Sequence, residues 1–145
     1  VIGKKGFGFF PNEIQNTRYP HIGMVIIEDN VEIGCNNTID RGSISNTVIG
    51  KNTFIDNQVH IAHNVKIGKN SIITAQVGFA GSSTIGQNVQ IGGQAGISGH
   101  LKIGNYVRIG GGSGVVKDVP DNSKVMGYPA KDIRKFLKDN KWVTH

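Results

Sequence analysis

Apolar residues recur every six positions through most of this chain, and that period leaves few folds open. Ile49, Ile55, Ile61, Ile67, Ile73, Phe79, Ile85, Ile91, Ile97, Ile103, Ile109 and Val115 fall at an unbroken spacing of six. Two positions before each lies a small or β-branched residue, among them Thr47, Thr53, Val59, Val65, Ser71, Val77, Ser83, Val89, Ala95 and Val107. Alternation along a strand turns both of these inward and the residue between them outward. The Gly, Asp, Ala or Asn that follows makes a corner. Gly50, Gly68, Gly86, Gly92, Gly104 and Gly110 stand directly after the inward Ile, where a positive φ is expected. Helical periodicity fails, because positions i+3 and i+4 from each inward Ile are corner or variable residues. Three hexads close a triangular coil, so residues 18 apart stack at a strand spacing of about 4.8 Å. The expected fold is an all-β solenoid, a parallel β-helix of hexapeptide repeats over residues 1–119.

Interruptions of the period mark the exceptions. Ile27, Ile33 and Ile39 keep it, but the next inward residue, Ile49, comes ten later, so four extra residues form a loop over about 40–46. A second excursion is expected over about 6–20, from Gly6-Phe7-Gly8-Phe9-Phe10-Pro11 to Tyr19-Pro20, as a cap or hairpin over the coil. After Val115 the period ends at Val119-Pro120-Asp121, leaving a tail over 120–145. Within it Ile133, Phe136 and Leu137 form one apolar stripe, so a short C-terminal α-helix is expected over Lys131 to Asn140.

The chain's 145 residues suit one domain. It begins at Val1-Ile2-Gly3 already in repeat-like sequence, as expected of a fragment or processed product. A net charge of +6 would suit an acidic partner. The basic residues lack the aromatic interleaving of a single-strand nucleic-acid binder, so no nucleic-acid partner is expected. Cys35 is the sole cysteine, no apolar run approaches a membrane span, and no signal segment is visible. No transmembrane segment and a cytoplasmic location are therefore expected.

A regular solenoid needs no histidine at a corner, so His63 and His100 call for explanation, and His60 reads as an outward strand residue at a surface or interface. His63 and His100 are two coils plus one position apart, which puts them on one cleft edge about 10 Å apart along the axis. Gly81 stacks on His63 between them. A glycine amide one strand spacing from an imidazole can bind an oxyanion while the imidazole acts as base, an acyl-transfer arrangement. A three-histidine metal site on His60, His63 and His100 converges poorly, so no metal is expected. No nucleophile elbow for a serine triad precedes a helix.

Gly6-Phe7-Gly8-Phe9, Thr38-Ile39-Asp40-Arg41-Gly42, Ile55-Asp56-Asn57, Ile61-Ala62-His63-Asn64-Val65, Gly92-Gly93-Gln94-Ala95-Gly96 and Gly99-His100 together resemble the left-handed β-helix acyltransferases. Within them the similarity is to the UDP-3-O-(3-hydroxyacyl)glucosamine N-acyltransferase family of lipid A biosynthesis. The resemblance implies a left-handed coil and a homotrimer with sites between neighbouring subunits. It also implies acyl transfer from acyl carrier protein, as its phosphopantetheine thioester, to the 2-amino group of a UDP-sugar, with no bound cofactor. His63 would be the catalytic base, Gly81 the oxyanion donor and His100 a substrate-binding histidine. Asp56, Asn57 and Asn64 would lie near the substrate, with Asp56 orienting His63 or serving the corner. The family's N-terminal uridine-binding domain has no match here, which implies reduced activity for this piece. The alternatives are a sister family that O-acylates UDP-N-acetylglucosamine, a γ-carbonic-anhydrase-like protein, or a non-catalytic hexapeptide scaffold. The basic residues Lys117, Lys124, Lys131, Arg134, Lys135 and Lys138 are expected to steer acyl carrier protein.

Overall fold

A computed structural model describes residues 1–141 as a parallel β-solenoid of about six turns with one short helix. Its strands stack into three sheets. The first face carries Ile2–Lys4, Thr38–Asp40, His60–Ile61, Gly78–Phe79, Gly96–Ile97 and Gly114–Val115. Val25–Ile27, Thr47–Ile49, Lys66–Ile67, Thr84–Ile85 and Lys102–Ile103 make the second. The third runs from Glu32–Ile33 through Phe54–Ile55, Ile72–Ile73, Gln90–Ile91 and Arg108–Ile109 to Lys124–Met126, with Lys131–Asp132 antiparallel at its edge.

Register follows the period. Ile61 lies opposite Phe79, Phe79 opposite Ile97, and Ile97 opposite Val115, each 18 residues on. The twelve inward residues from Ile49 to Val115 are all buried in one column-like core, and so are Thr47, Thr53, Ser71 and Ser83. The hydroxyls of Thr53 and Ser71 are satisfied by corner carbonyls, those of Gly68 and Gly86. Each buried Ile contributes roughly 1.5–3 kcal/mol, so the repeat stabilises itself coil by coil.

Between the coils that hold Ile39 and Ile61 the offset is 22, and the four additional residues lie in the loop between Asp40 and Thr47. An earlier excursion leaves the coil after Lys4 and folds Phe9–Phe10 against Thr17–Arg18 as an antiparallel hairpin. The Arg18 guanidinium sits 4.5 Å over the Phe9 ring.

The glycines that follow the inward Ile do not adopt positive φ, contrary to the expectation from sequence. The left-handed residue comes two positions later, at Asn52, Asn70, Asn88, Gln94, Tyr106 and Gly112, and also at Asn64 and His100. Glycine follows the Ile for a different reason. A β-carbon on Gly50 would lie 2.6 Å from the Lys69 nitrogen and 2.8 Å from the Gly68 carbonyl carbon. The chain there presses on the backbone of the next coil, and any side chain would part the two.

At the C-terminal end the helix α1 spans Ile133–Asp139, and Lys131–Asp132 is a strand rather than its first turn. Asp132 caps α1 by accepting from the Arg134 N–H at 2.9 Å. The helix packs on Lys124–Met126 with Ile133 and Phe136 half-buried, while Leu137 remains exposed. The tail's residues 142–145 lie outside the described residues. Among the described residues no helix is long and apolar enough to cross a membrane.

Candidate active site

His63 stands, half-buried, at the corner that follows the first-face strand His60–Ile61. Its Nδ1 is 2.9 Å from Asn64 Oδ1. That oxygen also accepts from the Ser43 backbone N–H at 3.1 Å and from Ser43 Oγ at 2.9 Å. The Asn64 Nδ2 donates to the Ser45 carbonyl at 3.2 Å and to Ser45 Oγ at 2.8 Å. A backbone N–H can only donate, so Asn64 Oδ1 is an acceptor and His63 Nδ1 must carry the ring proton. Nε2 is left with a lone pair. This is the tautomer a general base requires, and it is set by the four-residue insertion, which supplies Ser43 and Ser45.

Gly81 stacks on His63 one coil along, with the Ser82 N–H donating to the His63 carbonyl at 2.9 Å. A β-carbon on Gly81 would lie 2.6 Å from His63 Nε2 and 2.7 Å from Cε1. Only glycine leaves room for the ring. Among the described residues the corner amides of Gly81 and Gly99 have no hydrogen-bond partner in the chain. Some equivalent corner amides elsewhere are capped by a side chain, Gln87 by Asn105 at 3.0 Å, Asn105 by Asp121 at 2.7 Å and Cys35 by Asn57 at 2.7 Å, whereas those of Ala75, Gly93 and Gly111 on another edge are open as well. The edge bearing His63 is thus lined with open donors.

A cleft of about 520 Å³ runs along the first face from this corner. Its floor is a column of bare positions, Gly78, Gly96 and Gly114, in register with His60 at the head. From His60 to Gly114 the column spans three strand steps, about 14 Å. Phe7 and Val116 border it, and Tyr128 closes the far end, its ring lying where a side chain on Gly114 would be. The groove is lined mostly by apolar atoms, and the amides of its glycine floor are all paired to neighbouring coils, so it suits a chain-like hydrocarbon.

The other expected residues are placed less centrally. His100 sits on the same edge two coils beyond His63 with φ 59, its N–H donating to the Gly81 carbonyl at 3.1 Å. Its side chain is exposed and does not line the cleft, so within one chain the two histidines share an edge but no cleft. Asp56 and Asn57 occupy the corner after the third-face strand Phe54–Ile55, a different edge of the prism. Among the described residues nothing joins Asp56 to His63. Of the two roles open to Asp56, orienting His63 or serving the corner, its place on another edge fits the corner, and the His63 ring meets Asn64, whose oxygen and nitrogen both bond within the chain. The carboxamide oxygen of Asn57 is engaged by Cys35. His60 turns away from His63, with Nδ1 2.7 Å from Thr38 Oγ1 and Nε2 4.0 Å from the buried Asp40 carboxylate, itself paired with Lys4 at 2.6 Å. Among the described residues no three of His, Cys, Asp and Glu gather as a metal set.

Two functional candidates escaped the sequence reading. The orienting role of Asn64 was signalled by its place directly after His63 and opposite the four-residue insertion. His21, buried against His63, had no periodic signal because it lies in the first excursion.

Comparison with known proteins gives this edge a context. A family model described as bacterial transferase hexapeptide (six repeats) matches residues 46–81 and 82–117. The curated UDP-3-O-acylglucosamine N-acyltransferase of Caulobacter vibrioides is 49% identical over 144 residues, 99% of this chain and 42% of that protein. The chain belongs to the bacterial transferase hexapeptide family. It spans about two fifths of the length of the curated relatives it matches. Among solved structures, the UDP-N-acetylglucosamine O-acyltransferase of Moraxella catarrhalis superimposes with a TM-score of 0.70 at 30% identity, over 96% of this chain and 54% of that one. The UDP-N-acetylglucosamine acyltransferase of Campylobacter jejuni gives 0.79 at 26% identity, over 91% and 50%.

Proposed function

We propose that this chain is the catalytic β-helix of an N-acyltransferase. It would move a 3-hydroxyacyl group from acyl carrier protein to the 2-amino group of UDP-3-O-acyl-glucosamine. The observation that carries the reading is the His63 imidazole, held by Asn64 through Nδ1 with Nε2 beside Gly81, at the head of an apolar groove. The 49% identical relative favours the amine acceptor over a hydroxyl acceptor.

The amine nitrogen attacks the thioester carbonyl carbon, and negative charge grows on the carbonyl oxygen. The open Gly81 amide lies on the corner stacked beside the His63 ring and can donate to this oxygen, and such a donor is worth roughly 10²–10³-fold in rate. Nε2 takes the proton from the attacking nitrogen. As the C–S bond breaks, the same proton passes to the leaving sulfur, so His63 ends neutral. The acyl chain lies along the glycine column toward Tyr128, and binding there fixes the carbonyl against the base.

A homotrimer completes this reading, since Phe54 and Ile72 project from the third face in register and remain exposed. His100 is then placed to meet substrate held between subunits. Lys117, Lys131 and Lys135 line a recess that shares Val116 and Tyr128 with the far end of the groove, a fit for acidic acyl carrier protein. Lys124 lies beside Arg108 on the third face, away from that recess. The test is mass spectrometry of products from UDP-3-O-acyl-glucosamine and from UDP-N-acetylglucosamine, each with a series of acyl carrier protein thioesters. An amide formed only from the first supports the reading. An ester from the second, or no product from the full-length protein, overturns it.

A further inference from the structure

His21 is a titratable side chain that the chemistry above leaves unused. It is buried at 5% exposure, and neither ring nitrogen has a hydrogen-bond partner. Its ring stacks on Tyr19 with centroids 5.4 Å apart and an interplanar angle of 19°. It meets His63 edge to face at 5.3 Å and 70°, and Tyr19 itself stands 6.5 Å from His63 at 90°. The excursion that delivers these rings is glycine where it wraps them. A β-carbon on Gly6 would fall 2.8 Å from His63 Cβ and 2.9 Å from His21 Nε2, and one on Gly8 would fall 2.6 Å from the Tyr19 ring.

We propose that His21 is a positioning residue for His63, its ring plane forming the rear wall that keeps the base turned toward Gly81. With no hydrogen bond holding His21, its influence passes through ring packing, and the stack with Tyr19 fixes its own plane. Asn64 sets the tautomer only while the His63 ring stays turned toward its Oδ1, and the His21 ring restricts rotation out of that hydrogen bond. Burial, and then the neighbouring His63, hold His21 below the usual imidazole range, with Arg18 adding to this and the Tyr19 backbone and Asp40 opposing it. It therefore stays uncharged at neutral pH and sets no second cation against His63 when that ring takes a proton. The inference rests on His63 as base only for its kinetic arm.

The experiment compares His21→Ala with His21→Phe in this chain and in the full-length protein, using ring-¹⁵N histidine NMR and steady-state kinetics. The wild type and His21→Phe are expected to show His63 locked with the proton on Nδ1. In His21→Ala the His63 ring signals should average between tautomers, and kcat should fall about tenfold with KM unchanged. Should His21→Ala fail to fold, His21→Leu fills the volume without a ring plane and is expected to behave as the alanine variant does. Unchanged His63 signals in His21→Ala, or a His21→Phe variant as impaired as alanine with its fold intact, would overturn the proposal. The NMR arm needs no turnover. A tautomer locked in the wild type and released in His21→Ala, in a chain without acyltransferase activity, would sustain the positioning role and remove the reaction.

Discussion

Replacing Gly81 by Ala separates the geometry of the site from the stability of the coil. Gly81 has no positive φ, so the backbone accepts alanine without strain, and shortening the unfolded chain's options stabilises by about 0.4–1 kcal/mol. The new methyl group would stand 2.6 Å from His63 Nε2, where ordinary contact begins near 3.4 Å. The ring must therefore retreat by roughly 0.8 Å, and it is backed by Gly6 and His21, so the shift is taken from the Asn64 hydrogen bond. A displacement of about 1 Å at a reacting group costs on the order of 10²-fold in rate. The gain in the unfolded state is offset by the strained Asn64–His63 contact, about 0.5–1.5 kcal/mol, so Gly81→Ala is expected to melt close to the wild-type temperature while kcat falls about 10²-fold. Thermal unfolding by circular dichroism and single-turnover acyl transfer under saturating donor measure the two effects on one preparation. Wild-type turnover in a folded Gly81→Ala protein would refute the claim that the His63–Gly81 spacing governs catalysis.

Further outcomes follow from the same geometry. His63→Ala in the full-length enzyme should lower kcat by about 10²–10⁴-fold with the fold intact, whereas His100→Ala should raise acceptor KM as well; kinetics with both substrates varied distinguish them. Tyr128→Ala should open the Gly114 end of the groove by roughly one strand spacing, about 4.8 Å, and shift donor preference toward longer chains in competition assays. Donor KM should rise with ionic strength if the lysine recess steers acyl carrier protein, and a salt-independent KM would count against docking there. Stability should decline as pH drops below about 6.5, because His21 is held below its unfolded value and the unfolded chain then binds the extra proton. One proton bounds the slope from this residue, it vanishes once the folded state also protonates, and His21→Phe should flatten it in denaturant titrations.

The coil itself was legible because translation by 18 residues makes every inward position equivalent, so a spacing of six in Ile49 to Val115 determines both burial and register. The same regularity explains which residues were missed. Corner glycines such as Gly50 looked like conformational switches, yet their cause is the backbone of the coil above, which a linear reading does not display. The resemblance offered Asp56 for orienting His63 or for the corner, while the residue that meets the ring is Asn64, a neighbour in sequence whose role depends on Ser43 and Ser45 reaching it from the preceding coil. His21 lies in a segment with no period at all.

A solenoid with perfect repeats has no reason to favour one corner over another, so a site has to arise where the repeat is broken. Four departures from the period meet on one face here. The insertion between Asp40 and Thr47 brings Ser43 and Ser45 to Asn64. The first excursion brings His21 and Phe7 to His63, and the outward positions Gly78, Gly96 and Gly114 lack side chains where neighbouring faces carry Lys, Thr, Gln or Arg. After the last hexad the chain turns back and lays Tyr128 over the end of that glycine column. Each departure costs regularity that the other faces keep, including the polar ladder of Gln58, Gln76 and Gln94, whose amides bond at 2.8 Å from coil to coil. Their convergence on the groove headed by a single histidine is what distinguishes this face from the rest of the prism, and it fits the proposed base at a corner, where a ring can stand clear of the sheet.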